Sequence, residues 1–121
     1  IRGEVVSGSQ RGRKLGFPTA NIIPPEYQIR PAPGVYAIKC LYNHKHLTGL
    51  ANLGQAPTFN ENRYQLEAYF HNFEGDLYGE TLDIQFIQRI REVKQFDNID
   101  QLSAQIKQDI KWFEKHILPQ I

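Results

Sequence analysis

Along most of the chain, apolar and polar residues alternate with a period of two, which is the pattern of β-strands with one buried face. We predict strands at residues 4–6, 35–42, 47–53, 65–70 and 82–86. Gly and Pro residues separate these segments, and no helical pattern lies between them. An antiparallel sandwich or a small barrel is therefore favoured.

Short polar segments connect the predicted strands. Residues 43–46, with the sequence Asn-His-Lys-His, lie between two of them and are predicted to form a hairpin loop. Residues 74–76 and 78–79 are turn candidates before the strand at 82–86.

The apolar period changes near the end of the chain. Apolar residues recur there at intervals of three and four, at Leu102, Ile106, Ile110, Phe113 and Ile117. This spacing places them on one stripe of a helix. We predict Asp100 as its N-cap and Pro119 as its stop. The apolar stripe needs a surface to cover, so the helix is expected to pack on one side or one end of the barrel.

Composition limits the classes of partner. The 121 residues suit one domain, and the net charge of +1 argues against a strongly electrostatic partner such as bulk nucleic acid or an anionic membrane surface. No apolar run is long enough to span a membrane. The one cysteine, Cys40, lies in a predicted strand and is expected to be a buried structural thiol in a reducing cytosol. The sequence lacks methionine and begins at Ile1, so we expect a module of a longer chain.

A glycine-rich basic segment precedes the first long strand. Gly8, Gly12 and Gly16 recur at four-residue spacing with three basic residues among them. Such a loop either lets backbone N–H groups approach an anion or is a solvated basic loop. It is not a P-loop, because only three residues separate Gly8 from Gly12 and Leu15 follows Lys14.

The run Pro18-Thr19-Ala20-Asn21 follows this loop directly. In an extended segment Thr19 and Asn21 project to the same side, where their oxygens suit Mg²⁺. The alternative is that both side chains bond to nearby backbone. These residues alone leave the choice open.

The run from Gly8 to Asn21, G-x-x-x-G-R-x-L-G-F-P-T-A-N, closely resembles the signature of the riboflavin kinase family. Further runs resemble the family in the same order: 33–37 (PGVYA), 52–59 (NLGQAPTF), 67–70 (EAYF), 76–79 (DLYG), 90–92 (IRE) with Phe96, and 105–109 (QIKQD). The resemblance covers essentially the whole chain. Glu92, where eukaryotic members commonly have Pro, is similar to the bacterial members.

The resemblance implies a mainly β fold, a small closed antiparallel Greek-key barrel of about six strands with a C-terminal helix packed on it. It also implies transfer of the γ-phosphoryl of ATP to the 5′-hydroxyl of riboflavin, giving FMN and ADP, with Mg²⁺ as cofactor. Glu67 matches the catalytic glutamate, and the alternation around it places it on a polar face. A catalytically silent flavin-binding module of the same fold is the alternative.

The remaining site residues also follow from the resemblance. Thr19 and Asn21 would hold the metal, and the nucleotide would lie against Gly8, Gly12, Lys14, Gly16, Pro18, Thr19 and Asn21, with Arg13 as an alternative to Lys14. Four residues would bind the flavin: Arg91, Lys94, Phe96 and Gln101. For two of these an ordinary role is open, core packing for Phe96 and an exposed first helical turn for Gln101.

The family further implies a longer parent protein. In bacteria such a module resembles the C-terminal part of a bifunctional enzyme whose other domain is an FMN adenylyltransferase. We therefore expect residues 1–121 to be one kinase domain that makes FMN but not FAD, in the cytoplasm, with no nucleic-acid or membrane partner.

Overall fold

The computed structural model describes residues 1–6, 20–23, 32–58, 61–73, 77–94 and 97–120. Within these ranges, seven strands form one antiparallel sheet: β1 (Arg2–Val6), β2 (Ala20–Ile23), β3 (Gly34–Tyr42), β4 (Lys45–Thr58), β5 (Glu61–Phe70), β6 (Thr81–Asp83) and β7 (Gln85–Arg91). One α-helix, α1 (Ile99–His116), follows them, and a short 3-10 helix (Leu118–Gln120) comes after it.

The strands lie in the order β6-β1-β2-β5-β4-β3-β7. Strands β3, β4 and β5 follow one another as neighbours, and β2 returns to lie beside β5, which is a Greek-key arrangement. The two outer strands of this order are consecutive in the chain and meet at Ile84, since β6 pairs with β1 and β7 pairs with β3. The sheet therefore curls round into a half-barrel whose two ends are joined by the chain itself.

The strand predicted at 82–86 is divided in the structure. Ile84 belongs to neither β6 nor β7, and its backbone exchanges two hydrogen bonds with Ile1, at 2.7 and 2.6 Å. The one alternating segment therefore pairs with two strands, β1 through β6 and β3 through β7. This division gives seven strands, where the resemblance implied about six. Alternation reports the buried face of a strand and carries no information about its neighbours.

The hairpin between β3 and β4 is tighter than the sequence suggested. Only Asn43 and His44 form the turn, while Lys45 and His46 already belong to β4. Both turn residues have positive φ, 49° and 63°, which is the backbone of a type I′ turn. The predicted turn at 74–76 lies outside the described residues, whereas Gly79 has the positive φ of a turn residue, 83°.

Two apolar clusters cover the two faces of the sheet. The larger lies inside the curl and contains large side chains from most strands: Val5, Ile22, Tyr36, Ile38, Leu53, Leu66, Phe70 and Leu82. The smaller lies on the outer face, where Ala37 and Leu50 contact Phe113 and Ile117. The predicted apolar stripe of the helix therefore packs on the outside of β3 and β4.

The helix begins earlier than predicted. Asn98, not Asp100, is the N-cap, and its side chain accepts a hydrogen bond from the backbone N–H of Gln101 at 2.9 Å. The side chain of Gln101 in turn accepts a hydrogen bond from the backbone N–H of Asp97 at 3.2 Å. The two side chains therefore satisfy one backbone N–H inside the helix and one before it. The helix ends at His116, three residues before Pro119.

The fold class predicted from the sequence is confirmed: a mainly β antiparallel sheet that curls into a barrel-like shape, with a C-terminal helix packed on it. No helix in the described ranges is long and apolar enough to cross a membrane.

Candidate active site

A single row of residues crosses the outer face of the sheet and carries most of the described candidate residues. The cross-strand partners run from Val6 to Asn21, then to Glu67, Asn52, Val35 and Arg91. Residues paired across antiparallel strands point to the same face, with Cβ atoms about 5 Å apart. The fold therefore brings Asn21, Glu67 and Arg91 onto one line, although 70 positions separate the first from the last.

Glu67 lies on the outer face, as the alternation predicts. Its neighbours Leu66 and Ala68 are buried in the cluster inside the curl, while Glu67 itself is half-buried. The carboxylate thus reaches solvent from the middle of a paired strand, with β2 on one side and β4 on the other. A base at this position is held in place by the hydrogen bonds of β5 to both neighbouring strands.

Asparagines flank Glu67 on both sides, and their exposure differs. Asn21 is only 5 % exposed, whereas Asn52 is open to solvent. Asn21 was expected from the sequence, but the position of Asn52 beside Glu67 was not. The available signal was an Asn within a long strand, where this residue type is unfavourable.

Seven of the predicted site residues lie outside the described residues. They are Gly8, Gly12, Lys14, Gly16, Pro18, Thr19 and Phe96. Their assignments, to the nucleotide, the metal and the flavin, stay predictions.

Arg91 is held by the C-terminal helix. Its guanidinium binds both carboxylate oxygens of Asp109, with the shortest contact, Nη2 to Oδ2, at 2.8 Å, and also donates to the carbonyl of Glu92 at 2.9 Å. Asp109 is buried and accepts a further bond from Gln105 at 3.0 Å. A bidentate pair of this kind fixes both side chains.

The other two described candidates for flavin binding are exposed. Lys94 approaches Gln105, with Nζ 3.4 Å from Oε1, and Gln101 caps the helix. Lys94 therefore extends the network that holds Arg91. Gln101 has a structural role that its position in the sequence did not reveal.

The donors around Glu67 fit a magnesium ion held together with a nucleotide. Asn21 has a buried amide, whose oxygen is of the kind that Mg²⁺ accepts, and it lies on the same row as Glu67. No group of three His, Cys, Asp or Glu side chains capable of forming a cage occurs among the described residues. Mg²⁺ usually binds through one or two protein oxygens together with waters and substrate phosphates, so a cage is not required.

Cys40 and His71 are two further residues of chemically reactive types that the structure describes. Cys40 is a free, buried thiol, as predicted, and burial together with the nearby charge of Asp83 raises its pKa to about 11. His71 lies 3.6 Å from Glu114 of the helix and packs its ring against Phe113. Both contribute to the packing rather than to the row around Glu67.

Comparison with known proteins identifies the family to which the chain is similar. Residues 1–117 match the riboflavin kinase family. The chain is 40% identical over 116 residues to the RNA-binding riboflavin kinase RibR of Bacillus subtilis. It is 42% identical over 110 residues to the bifunctional riboflavin kinase/FMN adenylyltransferase of Escherichia coli.

Solved structures show the same fold. A Streptococcus pneumoniae protein described as a macrolide-efflux protein superposes with a TM-score of 0.86 at 35% identity, over 93% of this chain and 37% of that one. The riboflavin kinase of Trypanosoma brucei gives a TM-score of 0.63 at 26% identity, over 94% of this chain and 76% of that one.

The matched relatives are longer than this chain. The alignment covers 95% of the chain but 50% of the B. subtilis protein, and 90% of the chain but 35% of the E. coli protein. The family match nevertheless extends over almost the whole sequence, and it agrees with the curled sheet. The chain belongs to the riboflavin kinase family.

Proposed function

We propose that this chain transfers the γ-phosphoryl group of ATP to the 5′-hydroxyl of riboflavin, giving FMN and ADP. One observation carries the proposal: in a member of this family, Glu67 lies on the outer face of the sheet beside the buried amide of Asn21. A carboxylate and a hard neutral donor on one row suit phosphoryl transfer to an alcohol.

Glu67 acts as the general base. A primary alcohol is a weak nucleophile, so its proton must leave as the new bond to phosphorus forms. The Glu67 carboxylate accepts that proton, the alcohol oxygen bonds to the γ-phosphorus, and the bond from this phosphorus to the β-phosphate oxygen breaks, which releases ADP. Hydrogen bonding of β5 to strands on both sides holds the backbone of Glu67 in place.

Asn21 and Thr19 are the proposed protein ligands of the metal. When bound with ATP, Mg²⁺ supplies charge neutralisation at the phosphate oxygens. The buried amide of Asn21 supports this assignment, and Thr19 joins it through the resemblance of the segment Gly8 to Asn21. That segment, with its glycines and Lys14, is proposed to line the phosphates.

The flavin ring is proposed to lie near the end of β7 and the start of α1. Arg91 is fixed by Asp109, and Lys94 is exposed beside it, so polar groups are available at this edge. Val93 is 43% exposed and offers apolar surface between them. An aromatic ring is commonly held by apolar walls with a few polar groups.

A longer parent protein is part of the proposal. The E. coli relative is named for two activities and is matched over 35% of its length. We propose that an FMN adenylyltransferase domain is joined to this module in its parent and that the module alone makes no FAD. A cytoplasmic location and the lack of nucleic-acid or membrane partners stay predictions from the sequence.

Incubation of the purified chain with riboflavin, ATP and Mg²⁺, followed by chromatographic separation of the flavins, tests the activity. We expect FMN and no FAD. Glu67→Gln should lower kcat by about 100-fold or more, on the scale of a lost general base, with riboflavin binding retained. Glu4→Gln, which alters another strand glutamate on the outer face of the sheet, is the matched control and should behave as wild type.

Several outcomes would contradict the proposal. Riboflavin binding without any FMN would identify a catalytically silent flavin-binding module. Unchanged turnover in Glu67→Gln would refute the role of Glu67. FAD among the products would refute the assignment of one activity to this module.

A further inference from the structure

Asn52 lies within a strand, where asparagine is an uncommon residue. It lies in the interior of β4, whose bounds are Lys45–Thr58, on the side of Glu67 opposite to Asn21. Asn and, more weakly, Glu are unfavourable in strands, so an Asn-Glu-Asn row in paired strands goes against local preference. Departures of this kind concentrate at functional sites.

The exposure of Asn52 separates its role from that of Asn21. The amide of Asn21 is buried, whereas that of Asn52 faces solvent next to the carboxylate of Glu67. A substrate hydroxyl that donates to Glu67 must lie over β5, and the next hydroxyl along a polyol would then lie within reach of a group on β4. An amide can donate to and accept from such hydroxyls.

The surface beyond Asn52 carries no side chain at Gly54. Residues two apart on a strand share a face, so Gly54 continues the outer face from Asn52. A Cβ added to Gly54 would have, among the described residues, Val93 Cγ2 at 3.8 Å and Asn52 Oδ1 at 3.9 Å as its nearest neighbours. For a single added Cβ, these are ordinary contact distances to the described residues.

We infer that Asn52 and the bare backbone at Gly54 form a cradle for the hydroxylated chain of the substrate. The polyol runs from its reacting end at Glu67, past the amide of Asn52 and over Gly54, to the apolar side chain of Val93. Asn52 is a binding and positioning residue, and Gly54 keeps the path open. This inference rests on the proposed function and deepens it by assigning the part of the site between base and ring.

The role of Asn52 is tested by measuring equilibrium flavin binding in the absence of ATP, with flavin fluorescence as the signal. Two probes are compared: riboflavin, and lumiflavin, which carries a methyl group in place of the hydroxylated chain. We expect Asn52→Ala to weaken riboflavin binding about tenfold, the loss of roughly one good hydrogen bond, and to leave lumiflavin binding unchanged. Thr48→Ala removes another polar side chain from the same strand, about 13 Å away at strand rise, and should leave both unchanged.

A size series at Gly54 tests the open path. We expect Gly54→Ala and Gly54→Val to weaken riboflavin binding progressively, by about threefold and then by more than tenfold, as the added atoms occupy the space of the polyol. The melting temperature of Gly54→Ala should hardly change, because the described atoms nearest to the added Cβ are at ordinary contact distance. Lumiflavin binding should again be little affected.

The kinetic readout separates this inference from the reaction itself. In the active enzyme, Asn52→Ala should raise the KM for riboflavin about tenfold and leave the KM for ATP unchanged.

Wild-type turnover together with unaltered riboflavin affinity in both Asn52→Ala and Gly54→Val would overturn the cradle and leave the proposed function intact. If the wild-type chain binds riboflavin but shows no turnover, and both variants selectively lose riboflavin binding, the cradle is supported and the proposed reaction is overturned. Failure of the wild-type chain to bind riboflavin would overturn both.

Discussion

Glu67 has amide neighbours that differ in exposure, since Asn21 is buried and Asn52 is open to solvent. The buried amide is suited to a fixed ligand, because burial restricts its rotation. The open amide is suited to a group that arrives and leaves. Asn21, Glu67 and Asn52 could thereby contact the phosphoryl donor, ATP, and the phosphoryl acceptor, riboflavin, at the same time.

Cys40 provides a pH-dependent property that belongs to a single residue. Burial first, and the negative charge of Asp83 second, raise its pKa from 9.0 to about 11. The folded protein therefore retains a proton that the unfolded chain loses between these values. The contribution of Cys40 to the free energy of unfolding is therefore complete below pH 9 and is lost as the pH rises from 9 to 11.

Denaturant unfolding at a series of pH values measures this effect. The pKa of Tyr69 is also raised, by burial and by the charge of Glu114, and it adds a loss in the same direction. Cys40→Ala should therefore flatten part of the alkaline decline and leave the rest. An identical slope in the variant would contradict the assignment to Cys40.

At the scale of elements, the two glycines of β4 act differently. A Cβ on Gly49 would lie 1.8 Å from the carbonyl oxygen of Tyr69 on β5, whereas one on Gly54 meets ordinary contacts among the described residues. Gly49 is thus required for the close approach of β4 to β5. Glycine within a strand often marks the close approach of another backbone or of a ligand. Gly49 is of the first kind, and the proposed cradle makes Gly54 one of the second kind.

Gly49→Ala should destabilise the fold by about 3 kcal/mol or prevent folding, because backbone rather than a flexible side chain must move. Gly54→Ala is the matched control, since it makes the same chemical change in the same strand, and it should cost less than about 1 kcal/mol. The free energy of unfolding measured in denaturant distinguishes them. Equal stability of the two variants would refute the close approach at Gly49.

At the scale of the whole molecule, helix and sheet are joined by apolar and ionic contacts. Phe113 and Ile117 cover Ala37 and Leu50, and the pair between Asp109 and Arg91 lies at the edge of that contact. The ion pair connects the helix to the end of β7, where the flavin ring is proposed to bind. Helix docking and the shape of the site are therefore coupled through one carboxylate.

Asp109→Ala should cost about 3 kcal/mol, because it leaves the guanidinium of Arg91, 17% exposed, without its partner. Gln108→Ala, at an exposed position of the same helix, controls for the change in helix propensity. The comparison requires unfolding curves of both variants and their double mutants with Arg91→Ala. A coupling energy near zero between residues 91 and 109 would show that the pair contributes nothing.

Much of the architecture could be read from local patterns. The alternation placed the strand at 35–42 within one residue of β3. The strand predicted at 65–70 ends with β5 but begins four residues after it, and its alternation turned Glu67 to the outer face. The three- and four-residue spacing identified the helix. These properties are local, because the period of the backbone alone decides which side chains share a face. The N-cap was misassigned because both Asp100 and Asn98 suit the position, and only the helix geometry selects one.

The sequence by itself therefore determined the type of most elements, the face of the side chains in the alternating and helical segments and, through the motif resemblance, the family. Only the tertiary structure decided which residues stand beside one another. The register between β2, β5 and β4 places Asn21 and Asn52 on either side of Glu67, and the break at Ile84 gives one segment two partners. Register depends on pairing between distant segments, and a slip of one residue would turn Glu67 inward. That long-range choice turns three separate polar residues into one candidate site.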